Sequence, residues 1–298
     1  MAKPKRRSVR HEAKQWYRFV RWQGFQVLKQ VPKWRRQARG QAIRAWTSVA
    51  DSSYWVVWQV RAHEMRVTRQ LFGRRATLLA RPEEADPAKP VVVSLAGLLT
   101  SWEFLTPLND ALVERGFQVA VVPQLGLNTK SVQYLAEHVK RFLRTHGDLT
   151  PVVFVSHSKG GLVAKRVLLD DPDFRYAVGA VTLAAPFAGA TTAKYVRGLT
   201  PLTREVVTLR PGTPAQLELE HMDAQDRRIS AISPIYDEIV GLRGKVRGGS
   251  NRAVSTLGHN RLLSDPRIHG LVEREIIRLW DEWQAHSNAS KTSPPTPA

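Results

Sequence analysis

Residues 151–161 read Pro-Val-Val-Phe-Val-Ser-His-Ser-Lys-Gly-Gly. Positions 152–155 are β-branched or aromatic throughout, the composition of a strand buried on both faces, and a helix-like segment, 162–170, begins directly after the two glycines. Ser158 therefore falls on a tight strand-to-helix turn. Strained backbone geometry on such a turn raises a hydroxyl above the sheet edge, and small residues two before and two after the serine keep the turn free of clashes, a pattern written G-x-S-x-G. Here Ser156 stands at the first glycine position, so a hydroxymethyl group must fit where strand and helix pack closely. An ordinary strand, turn and helix with an incidental serine would read the same way, and the rest of the chain has to decide.

A serine hydroxyl is a poor nucleophile at neutral pH. It needs a histidine to take its proton and a carboxylate to orient and stabilise the resulting imidazolium. On a parallel sheet these partners follow the serine in the order acid, histidine, each just after a strand. Asp237 follows a strand candidate at 229–235, 79 positions beyond Ser158, and His259 follows another at 253–257, 22 positions further on. Glu238 is the nearest rival to Asp237. His157, beside the serine, is more simply read as structural.

Four segments together resemble the bacterial triacylglycerol lipase and esterase branch of the α/β-hydrolase superfamily, over about residues 91–277. Val-Ser-His-Ser-Lys-Gly-Gly-Leu-Val-Ala at 155–164 is similar to that family's elbow, and Val-Thr-Leu-Ala-Ala-Pro-Phe-Ala-Gly-Ala at 181–190 to its strand ending in Thr-Pro-His-x-Gly-Thr. Tyr236-Asp237-Glu238-Ile239-Val240 resembles its acid segment and the stretch from Gly258 to Pro266 its histidine segment. The resemblance implies a serine ester hydrolase acting on a lipid or acyl ester, with Ser158, Asp237 and His259 as the triad and no metal or organic cofactor. It also implies an oxyanion hole built from the backbone amides of Leu98 and Lys159. The family commonly has His-Gly before the first donor. This chain has Ala96-Gly97, which removes a side chain but leaves the backbone donor in place. Lys159, a cation opening a helix, opposes the helix dipole and has no account in the sequence.

Thioester hydrolysis and acyl transfer use the same groups and stay open as alternatives. So does a non-catalytic protein that keeps the body as a scaffold.

Composition divides the chain. Residues 1–80 carry 19 Lys/Arg against 3 Asp/Glu, and residues 81–298 carry 26 against 23, so the formal +19 splits into +16 and +3. Six of the nine tryptophans, Trp16, Trp22, Trp34, Trp46, Trp55 and Trp58, also lie in this head. Cationic helices with tryptophan suit an anionic membrane surface through residues 1–72, whereas the same rings could dock on the body or on a second copy. Nucleic acid is disfavoured as a partner, because no recognised module accompanies the charge. With no cysteine, disulfides and thiolate chemistry are excluded. No apolar run is long enough to span a bilayer, and the Arg6-Arg7 pair lacks the apolar core of an export signal. These features give a cytoplasmic protein, peripheral at the inner face of the membrane if the head binds lipid. The oligomeric state is not legible.

The expected organisation is a basic, Trp-rich helical extension at 1–74, an α/β-hydrolase domain at 75–286 and a disordered tail at 287–298. In the extension, an irregular lead-in to Lys14 precedes helical pieces broken at Gly24 and Pro32, and a second helix at about 43–71 carries Ile43, Trp46, Ala50, Tyr54, Val57, Val60 and Leu71 near one face. The domain is a mostly parallel sheet with helices on both faces, strands at 76–80, 91–95, 117–122, 152–155, 178–184, 229–235 and 253–257, and a small cap at about 187–228.

Overall fold

The computed structural model describes residues 6–72, 77–79 and 84–292. Among them one parallel sheet of six strands runs in the order β2-β1-β3-β4-β5-β6. The strands are β1 (Val91–Leu95), β2 (Val119–Val121), β3 (Val152–His157), β4 (Ala177–Leu183), β5 (Ile229–Pro234) and β6 (Ser250–Val254). Every residue of β3 is buried. Its alternation sends Phe154 into one apolar cluster with Leu135, Val139, Leu162 and Val167, and Val153 and Val155 into another with Phe104, Leu108, Val272 and Ile276. Helices α3 (Val132–Thr145) and α4 (Lys159–Leu169) supply the first cluster. Helices α2 (Thr106–Glu114) and α7 (Pro266–Thr292) supply the second. Each fully buried Val, Leu or Phe side chain contributes roughly 1.5–3 kcal/mol, so a strand apolar on both faces belongs at the centre of the sheet.

The expected strand at 76–80 is reduced to an isolated antiparallel bridge between Leu78 and Ala120; residues 76 and 80 lie outside the described residues. The last strand ends at Val254 rather than 257, which leaves His259 on a loop five residues beyond it. In the excursion at 187–228, Pro201 and Pro214 do not break structure. They start helices α5 (Pro201–Thr208) and α6 (Pro214–His221), because proline lacks only an N–H that a first helical turn would leave unpaired. Helix α7 continues to Thr292, past the expected start of the tail, and residues 293–298 lie outside the described residues.

The head forms helix α1 (Arg6–Leu71), continuous through Gly24 and Pro32, where breaks are expected, and helical from Arg6, where an irregular lead-in is expected; residues 1–5 lie outside the described residues. An interior proline removes one backbone hydrogen bond and a glycine costs about 1 kcal/mol, local penalties that a long helix tolerates. The side chains of the expected stripe from Trp16 to Trp34 lie outside those described. The chain divides into two compact units, residues 1–49 and 50–298.

Residues 50–71 of α1 pack against the sheet domain within the second unit. Ala62 is fully buried, Tyr54 and Trp58 join the second apolar cluster, and Arg69 lies 4.1 Å over the Trp102 ring. The face carrying Val57, Val60 and Leu71 is exposed instead. Docking therefore uses a different side of the helix from the one marked by its aliphatic residues.

Candidate active site

Ser158 directly follows β3 and caps α4 with φ 52° and ψ −126°. A side chain at positive φ is strained by roughly 1–2 kcal/mol. Two hydrogen bonds hold it there, Ser158 N to the Leu183 carbonyl (2.9 Å) and Gly161 N to the Ser158 carbonyl (2.9 Å). Gly160 lets α4 approach the sheet, since a Cβ at that position would lie 2.3 Å from the Leu95 carbonyl oxygen. Ser156 is accommodated in the first glycine position, buried, with its hydroxyl unpaired.

Asp237 lies on the loop after β5. Its Oδ1 accepts from the amides of Ile239 (2.9 Å) and Val240 (2.7 Å), and its Oδ2 accepts from His259 Nδ1 at 2.9 Å. Burial would raise the Asp237 pKa, but the His259 ring and the two amides outweigh it and hold the carboxyl below its ordinary value. For His259, burial works downward, and the charge and hydrogen bond of Asp237 with help from Asp51 and Glu238 carry the net shift upward.

The neighbouring His157 donates from Nε2 to the His259 carbonyl (3.1 Å), and its ring centroid lies 4.8 Å from that of His259. A carbonyl can only accept, which fixes the His157 tautomer. Burial, reinforced by the charge of His259, pushes its pKa down to about 3 and keeps it neutral.

Ser158 and His259 face one cavity of about 240 Å³, whose walls include Leu98, Trp55, Val206, Leu209 and Ile239. No hydrogen bond joins the two side chains among the described residues, a common state of nucleophile and base before substrate tightens the site. A larger cavity of about 430 Å³ is walled by α3, α4 and α6 and shares only Leu209 with the first. Ser158 and His259 both line the smaller one, with Asp237 hydrogen-bonded to His259 behind it.

The loop carrying Leu98 is fixed by Asn128, whose Nδ2 donates to the carbonyls of Ala96 (2.9 Å) and Gly97 (3.2 Å), and by Gln59 of α1, which donates to the Leu99 carbonyl (2.7 Å). Lys159 turns its side chain away from the serine. Its fully buried ammonium donates to the carbonyls of Asn128 (3.2 Å) and Lys130 (2.5 Å) and pairs with Glu205 of α5 (3.3 Å). Burial lowers its pKa against the pull of Glu205. The lysine that the sequence leaves unexplained thus ties the first turn after the serine to the covering helix.

Sequence reasoning missed Asp51, Asn128 and Glu205. Each acts on a partner 28 or more positions away along the chain, which no local motif marks.

No protein-family model matches the sequence, and no curated protein does. Solved structures do. A lipase of Bacillus licheniformis, BlEst2 in mature form, superposes with a TM-score of 0.53 at 16% identity, covering 67% of this chain and 96% of the lipase. A Mycobacterium tuberculosis protein described as a non-heme bromoperoxidase superposes with a TM-score of 0.51 at 13% identity, covering 64% and 92%. The chain has the α/β-hydrolase fold. At these identities the likeness concerns the fold, and the chemistry has to be argued from the site.

Proposed function

We propose that the chain is a serine carboxylic-ester hydrolase acting on a lipid or acyl ester. Ser158 Oγ attacks the acyl carbonyl while His259 takes its proton, and the oxyanion is received by the amides of Leu98 and Lys159. His259 then protonates the departing alcohol, leaving an acyl-enzyme on Ser158. Water, deprotonated by His259, attacks the acyl carbon and releases the acid and free Ser158, with Asp237 holding the imidazole throughout. The observation that carries this reading is the pairing of a strained serine at the end of the central strand with a buried Asp237–His259 hydrogen bond on the same cavity.

A fluorophosphonate probe tests it: one adduct is expected at Ser158 and none in Ser158→Ala. A folded wild-type protein that takes no label is no serine hydrolase. A panel of p-nitrophenyl esters, triacylglycerol, phospholipid and acyl-CoA, run with and without an added alcohol acceptor, separates hydrolysis from acyl transfer and thioester cleavage.

The substrate reading extends to a lipid surface. In the second unit, Val56, Val57, Val60, Val67 and Leu71 are exposed along α1 at spacings of one, three, seven and four residues, a stripe suited to a hydrocarbon boundary. The basic surplus of residues 1–80 supplies the attraction to anionic headgroups, about 1 kcal/mol for each cation near the surface. Among the described residues no helix is long and apolar enough to cross a membrane, so any association through this stripe is interfacial.

A further inference from the structure

Helix α1 aims Asp51, Trp55 and Gln59, four residues apart and therefore on one face, at the serine cavity and the two loops that frame it. Asp51 is 1% exposed, and both of its carboxylate oxygens accept hydrogen bonds. Oδ1 takes the amides of Asn260 (2.8 Å) and Arg261 (3.0 Å), and Oδ2 takes Asn260 Nδ2 (2.6 Å). These are the two residues directly after His259. On its other side, Gly258 sits at φ +100°, and a Cβ there would lie 2.5 Å from Asp51 Oδ1. The carboxylate thus fills the place of the missing side chain.

Glu238 completes the bracket. Its Oε1 accepts the His259 amide at 3.3 Å, and its Oε2 meets no donor. Burial and the neighbouring Asp51 carboxyl push the Glu238 pKa up to about 8. Tyr54, one turn along from Asp51, adds a 2.7 Å bond to Ser264 at the end of the same loop.

We propose that Asp51, with Glu238 beside it on the His259 amide, is a positioning residue for the reaction, fixing the backbone on both sides of His259 so that the imidazole is aimed at Ser158. The inference rests on the ester-hydrolase reading. In it the helical head does more than hold a surface, since one of its residues clamps the loop of the general base.

The test uses the full chain with Asp51→Ala, Asp51→Asn, Glu238→Ala, Glu238→Gln and Ser158→Ala, measuring kcat and KM on a short p-nitrophenyl ester together with Tm. Small displacement of a catalytic group costs on the order of a hundredfold, so Asp51→Ala and Asp51→Asn are expected to lower kcat by about ten- to a hundredfold with KM nearly unchanged. Glu238→Ala should resemble them. Glu238→Gln keeps an acceptor for the His259 amide, and should lose less than about threefold. A purely structural role would lower Tm and leave kcat alone, and that result in a folded Asp51 variant overturns the proposal. If Asp51→Ala does not fold, Asp51→Asn, equal in size and retaining one acceptor, decides by the same criterion. Activity remaining in Ser158→Ala would instead overturn the hydrolase reading, so the two failures are told apart.

Discussion

Lys159→Met removes a buried cation while nearly preserving volume, and it isolates what that cation does. The ammonium is fully buried and serves two carbonyls and Glu205. Without it the carbonyls lose a donor and the carboxylate loses its counter-ion. Breaking a buried pair costs about 3–5 kcal/mol, and the Glu205 side chain, 20% exposed, keeps some water contact, which places the loss near 3 kcal/mol. For a unit of this size each kcal/mol moves Tm by roughly 2–4 °C, so a fall of about 6–12 °C is expected by scanning calorimetry. Because α5 contributes Val206 to the cavity and Leu209 lies at its end, a loosened α5 should raise KM on a longer-chain ester more than it lowers kcat. Glu205→Leu in the same background deletes the orphaned carboxylate and should restore part of the stability. A Tm within 2 °C of wild type, or losses from the two substitutions that simply add, would refute the latch.

Ser158→Ala should lose activity on the order of a million-fold, read as initial rates on a soluble ester, with Tm little changed. Asp237→Asn should cost roughly ten-thousand-fold and Glu238→Gln far less; a larger loss at Glu238 would exchange their roles. Glu238 also sets a pH dependence. Folded, it holds its proton to about pH 8, whereas an unfolded glutamate releases it near 4.5, so in that window the folded state carries the extra proton and stability falls as pH rises. One proton gives at most about 1.4 kcal/mol per pH unit, less here because the side chain is partly exposed, and urea melts of Glu238→Gln should show a flatter slope than wild type. Deleting residues 1–40 should weaken cosedimentation with anionic vesicles and leave soluble-ester turnover intact, since Asp51, Trp55 and Gln59 remain; equal vesicle binding would count against the lipid role.

The parts of this architecture legible in the sequence are those encoded by contiguous chemistry. The strand at 152–155, the turn at Ser158 and the acid segment at 237 each announce themselves in a few residues. Element edges were less legible, as β6 shows: it ends at Val254 because pairing with β5 stops there, and Ser255-Thr256-Leu257 continues the β-prone composition without a partner. The cap was legible as an excursion, but its prolines mislead unless the residue before them is read too. Thr200 forms a capping box with Thr203, which makes Pro201 a helix start.

Helix α1 shows why the remainder was hidden. Hydrophobic periodicity marks the most apolar side of a helix, and for residues 50–71 that side is exposed, while the docked side carries Asp51, Gln59 and Arg66 among its contacts. A docking face built from side-chain hydrogen bonds has no hydropathy signature. It also cannot be neutral with respect to the site, since those bonds end on the backbone of Leu99, Asn260 and Arg261, next to the proposed oxyanion donor and base. A buried carboxylate satisfied by three donors is costly to strip of any one of them, so each of these loops is constrained by the helix and the helix by each loop. The basic head therefore cannot be an independent appendage along its whole length, and the boundary between the proposed surface arm and the proposed support of His259 is placed before Asp51.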